Sequence, residues 1–190
     1  MLLQLTASLS EIISQTKANA FYLEIIVLLP WAVFLINKLA GGRLLYLGIM
    51  PRHLLGIPGI LCAPLLHANF NHLFFNSIPL LVLSNFLLIH GLPYFLEATL
   101  FITLLSGFLI WCFGKPGLHV GASAVITGYW ALLVSGIYQD ASLTTIILGV
   151  LSLYYFVGIF LGVFPGKKGV SWEGHLFGLI AGLVAGYVFN

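Results

Sequence analysis

Long apolar runs almost free of charge constrain this chain more than any other feature: 61% of its 190 residues are hydrophobic and 6% are charged. No soluble core could conceal that much apolar surface. The medium is therefore hydrocarbon, where helices of roughly 20 apolar residues satisfy every backbone group internally. Six spans are predicted, at about 21–39, 71–90, 93–113, 122–138, 141–164 and 172–189. Pro30 is a kink in the first, Gly91-Leu92-Pro93 separates the second from the third, and Pro165-Gly166 ends the fifth. Residues 1–20 are a short N-terminal segment with no basic n-region and no cleavage site, so they do not read as a signal peptide. Residues 21–190 form one domain without internal repeats. The fold class is an all-α polytopic membrane bundle.

Between the first two spans, residues 40–70 are broken by Gly41, Gly42, Gly48, Pro51, Gly56, Pro58, Gly59 and Pro64, yet stay rich in Leu, Ile and Tyr. Too broken to span and too apolar to float free, this stretch is expected to lie half sunk at the interface beside the bundle. Alternating spans put Lys38, Arg43, Arg52, Lys115, Lys167 and Lys168 on one side and Lys17 on the other. The positive-inside rule assigns the first side to the cytoplasm. With 7 basic residues and no basic patch, nucleic acid is excluded as a partner. Cys62 and Cys112 stand in apolar surroundings and belong to no zinc or redox motif.

Polar groups inside such spans are expensive, and they mark functional positions. Ser123 opens the fourth span, where unpaired backbone N–H groups and the helix dipole favour negative charge. A tetrahedral oxyanion formed there would meet a donor; the alternative is a small packing or capping serine. His175 opens the sixth span, ahead of Gly178 and Gly182 on the same helical face at about 100° per residue. Glycines at every fourth position, Gly174 to Gly186, form a small-xxx-small stripe. The fourth span offers a matching stripe, Gly121, Ala124, Gly128, Ala131 and Ser135, and contact between the two would bring His175 toward Ser123. Otherwise the histidine is a polar clip between helices. At the second span, His72 and Asn76 are neighbours one turn apart and can both donate a hydrogen bond. His67 can brace them. A helix-start cluster capped by Asn69 or Asn71 explains the first asparagines but not Asn76.

Elimination narrows the chemistry. Asp140 is the only aspartate, so an aspartyl dyad is excluded, and the His-Glu-x-x-His helix of a zinc protease is absent. No carboxylate completes a histidine metal site, and neither a metal nor another cofactor is expected. Glu173 lies about 200° around the helix from His175, so it cannot serve as a triad acid. A Ser–His dyad survives.

The order His67, His72, Asn76, Gly121-Ala122-Ser123, then His175 with Gly178 and Gly182, set in six spans with a long first loop, resembles the rhomboid family of intramembrane serine proteases. The resemblance covers nearly the whole chain. It implies a serine endopeptidase that cleaves transmembrane segments of membrane proteins: Ser123 as nucleophile, His175 as general base then acid, and His72, Asn76 and the Ser123 backbone N–H as the oxyanion hole. His67 and Gly121 would support them, and Gly178 and Gly182 would pack the helices. Its partners would be transmembrane substrates and lipid, with the oligomeric state left open, and its place a prokaryotic plasma membrane. The family's usual orientation is opposite to that given by the basic residues. Two positions depart from the family's pattern. Ala124 replaces the glycine after the serine, and Thr127 stands where some relatives stack a tyrosine on the histidine. A silent relative that binds membrane clients and a histidine-based metal or proton pathway are the competing readings. The segment 165–171, with the end of the fifth span near Phe160 and Phe164, is expected to gate substrate access.

Overall fold

The structure, a computed structural model, describes residues 2–140, 142–164 and 171–189. Among them the regular elements are helical, apart from one isolated bridge between Ile49 and His119. In chain order the α-helices are α1 (Leu2–Ala18), α2 (Ala20–Leu39), the single turn α3 (Gly59–Cys62), α4 (Phe70–Leu88), α5 (Leu92–Phe113), α6 (Ser123–Gln139), α7 (Leu143–Phe156), the short α8 (Gly158–Leu161) and α9 (Trp172–Phe189), with 3-10 turns at Arg43–Leu47, Leu54–Gly56 and Ala63–Leu65 in the first loop. Four of these, α2, α4, α5 and α9, are long and apolar enough to cross a membrane. The shorter apolar helix α7 and the largely buried helix α6 complete a helical membrane bundle.

Helix starts follow local chemistry. Asn69 caps α4 by accepting the N–H of His72 at 2.9 Å, and Ser142 caps α7 by accepting that of Thr145 at 3.2 Å. Pro93 lies in the first turn of α5, where a missing N–H is harmless. Residues 1–20, expected as a mere segment, are mostly a helix of their own. α1 leans on the bundle through Asn85 Nδ2 donating to Thr16 Oγ1 at 2.8 Å and Thr144 Oγ1 donating to Glu11 at 3.0 Å. The fifth span, expected unbroken over 141–164, instead stops at Phe156 and restarts at Gly158 as α8. Residues 165–170 of the expected gate lie outside the described residues.

The core centres on α6, whose Val125, Ile126, Thr127, Tyr129, Trp130, Ala131, Leu132 and Leu133 are all buried. Its partner is α9, along the glycine stripe. A methyl on Gly178 would collide with the carbonyl of Ala124, one on Gly182 with that of Gly128, and one on Gly186 with Ser135 Oγ. Only bare backbone permits this approach, and dispersion between the closely apposed helices replaces the hydrophobic force that lipid cannot supply.

The first loop is irregular but firmly tied. Gly56 lies against the backbone of Met50, and Gly59 against the carbonyl of Gly48, with no room for a Cβ at either. Ile49 and His119 exchange backbone hydrogen bonds at 3.0 and 2.9 Å. Arg52, at φ 61°, donates to the carbonyls of Cys112 and Gly114 at the end of α5, at 3.2 and 2.9 Å. The loop is thereby joined to the segment that leads into α6.

Candidate active site

Gly121 begins the site. Its φ of +115° is a conformation that side chains disfavour, and its N–H donates to the carbonyl of Ala63 in the first loop at 2.9 Å. The bend delivers Ser123 as the first residue of α6. Ala122 occupies the capping position and has no side-chain acceptor to offer. The N–H of Ser123 is thus one of the first-turn donors left without an intrahelical partner. Ser123 does not act as a cap.

His72 and Asn76, one turn apart on α4, converge on the same bend. A methyl built on Gly121 would lie 2.5 Å from Nε2 of His72 and 3.6 Å from Nδ2 of Asn76. Behind them, His67 packs edge-on against His72, ring centroids 5.0 Å apart. Asn76 Nδ2 donates to His67 Nε2 at 3.2 Å. His67 is 2% exposed, and burial holds its pKa down at about 4; neighbouring His72 adds to the lowering and the Leu65 carbonyl opposes it. The ring therefore stays neutral at ordinary pH, with Nε2 a permanent acceptor that orients the Asn76 carboxamide.

His175 enters from the start of α9. Its Nδ1–H donates to the carbonyl of Ser171 at 3.1 Å. A carbonyl can only accept, so the proton belongs on Nδ1 and Nε2 is left with its lone pair. Ser123, His72, Asn76 and His175 line one cavity of about 470 Å³, together with His119 and Ser171. Behind Ser123 lies a smaller cavity of about 30 Å³, lined in part by Thr103, Ser106 and His119 and roomy enough for a water molecule. Ser123 and His175 face the larger cavity without a direct hydrogen bond between them, as is common before substrate tightens a site.

Residues 56–190 match the Rhomboid domain family. The chain belongs to the rhomboid family. It is also 42% identical over 174 residues to uncharacterized proteins of Mycobacterium tuberculosis and Mycobacterium bovis, covering 86% of this chain and 72% of each relative. An uncharacterized protein of Mycobacterium leprae is 40% identical over 142 residues, 70% of this chain and 56% of the relative.

The two departures from the rhomboid pattern have visible consequences. The methyl of Ala124 packs at the small cluster of Ile49, Ala63 and Ile110, while its carbonyl abuts Gly178. Thr127 is fully buried and turns its hydroxyl back to the carbonyl of Ser123 at 2.8 Å, so it does not reach the histidine. The packing on His175 comes instead from Gly162, just after α8. Sequence reasoning missed His119, placed Ser171 only in the gate segment, and set Glu173 aside as a triad acid without finding its contact with Ser171. Ser171-x-x-Gly174 carries a capping signature, because Ser171 Oγ accepts the Gly174 N–H at 3.3 Å. Nothing local pointed to His119, whose partner Ser171 lies far along the chain.

Proposed function

We propose that this rhomboid is an intramembrane serine endopeptidase that cleaves transmembrane segments in the plasma membrane of a prokaryote. The observation that carries the reading is the single cavity onto which Ser123, His175, His72 and Asn76 open from three helices. In the reaction, Ser123 Oγ attacks the scissile carbonyl carbon while its proton passes to Nε2 of His175. The carbonyl π pair moves onto oxygen, and that oxyanion is received by the Ser123 N–H, His72 Nε2–H and Asn76 Nδ2–H. Collapse expels the amine, which takes the proton from His175 and leaves an acyl-serine. Water then repeats the sequence, with His175 again base and then acid, and frees the carboxylate. No step calls for a metal.

A transmembrane helix must unwind locally to present its carbonyl, so the substrate class is a membrane segment with weak helix formers near the cut. The missing Ser123–His175 hydrogen bond is what a silent, client-binding rhomboid would also show. A fluorophosphonate probe decides between them. Ser123 in the lipid-embedded protein should be labelled, Ser123→Ala and His175→Ala should not, and neither variant should cleave a model transmembrane substrate. An unlabelled wild-type protein would establish the silent reading.

A further inference from the structure

Beside the catalytic cavity lies a set of polar side chains that the proposed reaction leaves unused. Ser171 stands immediately before α9, and its carbonyl is the group that receives His175 Nδ1–H at 3.1 Å. Its hydroxyl lies 3.0 Å from Nδ1 of His119 and 3.4 Å from Oε2 of Glu173, and it accepts the Gly174 N–H at 3.3 Å. His119 in turn places Nε2 2.9 Å from the carbonyl of Lys115. Glu173 is 6% exposed, and its Oε1 stands 3.4 Å from Lys115 Nζ, which also lies 5.2 Å over the Trp172 ring.

The protons in this set can be assigned. The Lys115 carbonyl only accepts, so His119 Nε2 carries a hydrogen and, in the neutral ring, Nδ1 accepts from the Ser171 hydroxyl. That hydroxyl has one hydrogen and two acceptors in reach, His119 Nδ1 at 3.0 Å and Glu173 Oε2 at 3.4 Å; the shorter contact favours His119, while the oxygen accepts from Gly174. Fixing the Ser171 side chain fixes its peptide plane, and with it the carbonyl that orients His175. A serine–histidine pair with no carboxylate on the histidine still needs a group that sets the tautomer and the ring angle. Glu173 does not touch His175. Here the orienting group is a backbone carbonyl, and the carboxylate acts two steps away.

We propose that His119, acting through Ser171, is a positioning residue that holds His175 with its proton on Nδ1 and Nε2 toward Ser123, and that the Glu173–Lys115 ion pair braces the same turn. The proposal rests on the reading of His175 as general base.

The test uses the full chain in lipid, with three readouts: kcat and KM on a transmembrane substrate, the rate of fluorophosphonate labelling, and the His175 tautomer by ¹⁵N magnetic resonance. His119→Ala should lower kcat and the labelling rate by about tenfold or more, part of the roughly 100- to 10,000-fold that a positioned base supplies. KM should be unchanged, and the His175 resonances should show both tautomers. His119→Asn, which returns an acceptor near Nδ1, should restore much of the rate. Ser171→Thr should outperform Ser171→Ala, a comparison that does not depend on the His119 variants folding. A single Nδ1–H tautomer with full kcat in His119→Ala, or equal rates for Ser171→Thr and Ser171→Ala, would overturn the proposal. If wild type is not labelled, the endopeptidase reading fails separately. The tautomer measurement then still decides whether His119 positions His175.

Discussion

Gly162 packs its backbone against the imidazole of His175: a methyl there would fall 2.8 Å from Cδ2 and 3.0 Å from Nε2. In a rhomboid with Thr127 where some relatives stack a tyrosine, this contact supplies one wall of the histidine pocket. Gly162 has φ −68° and ψ −14°, a conformation open to any residue, so substitution there acts through the contact and not through backbone strain. Gly162→Ala should push His175 off its line to Ser123 and lower kcat by about tenfold or more, while KM and the melting temperature change little. Kinetics paired with a thermal melt check this; an unchanged kcat would mean the ring is held without Gly162.

Asn76 should matter to turnover and not to substrate capture. Its carboxamide is oriented by His67 and faces the bend at Gly121. Removing one oxyanion donor costs roughly 100- to 1,000-fold in other serine hydrolases. Asn76→Ala should lower kcat on that order with KM nearly unchanged. A rise in KM alone would move Asn76 to the binding surface.

Two pH effects separate by position. Activity should fall on the acid side, because protonated His175 cannot accept the serine proton. His67 acts on stability instead. Its pKa is about 4 in the folded protein against 6.5 for an unburied ring. Below 6.5 the unfolded chain takes up a proton that the folded chain refuses. Stability from this group is therefore complete above 6.5 and is lost as pH falls toward 4, on the order of 3 kcal/mol. His67→Gln should flatten the pH dependence of unfolding in detergent over that window by up to one proton. An identical slope in the variant would count against a buried neutral His67.

Much of this was legible in the chain because it is local or periodic. The glycine stripe from Gly174 to Gly186 and its partner stripe on α6 could be paired from spacing alone, since small residues every fourth position share a face. Asn69 announced the start of α4 by its type. The break after Phe156 has no proline, and Gly158 there does not stand out from Gly149 within α7; α1 lacks the hydropathy of a span. The folding of the first loop hangs on Gly48 meeting the segment before α6, and on Gly56 and Gly59 meeting backbone earlier in the same loop, which composition cannot reveal. His119 and Ser171 meet only because α9 returns beside the loop before α6, a tertiary fact.

The helix seam sets a stability prediction. Because a side chain at Gly182 would strike the backbone of Gly128, Gly182→Leu must part α6 from α9 or displace one of them. Melting temperature and activity should fall together, and Gly182→Ala should lie between Leu and wild type. Wild-type stability in the leucine variant would place the helix contact elsewhere.

We expect access to the cavity to turn on the end of the fifth span. Beyond the break after Phe156, α8 is anchored by Phe160, whose ring lies 6.1 Å from Trp130 on α6 and 5.6 Å from Phe164. Trp130 is itself fixed, its Nε1–H donating to the carbonyl of Ser152 at 3.1 Å. This aromatic contact, together with Ile159, seats a short helix against the core of the bundle. A substrate helix arriving from lipid would have to displace something, and the short α8, Gly158–Leu161, is the wall we expect to give way. Phe160→Ala should speed cleavage of a membrane-embedded substrate severalfold. Gly162 follows in the same turn, so the same change could instead loosen His175. The small fluorophosphonate probe separates the two effects, because it needs the histidine but no lateral opening. Faster cleavage with an unchanged labelling rate identifies α8 as a gate. Slower labelling would show that Phe160 serves the base, and unchanged cleavage would place the opening between other helices.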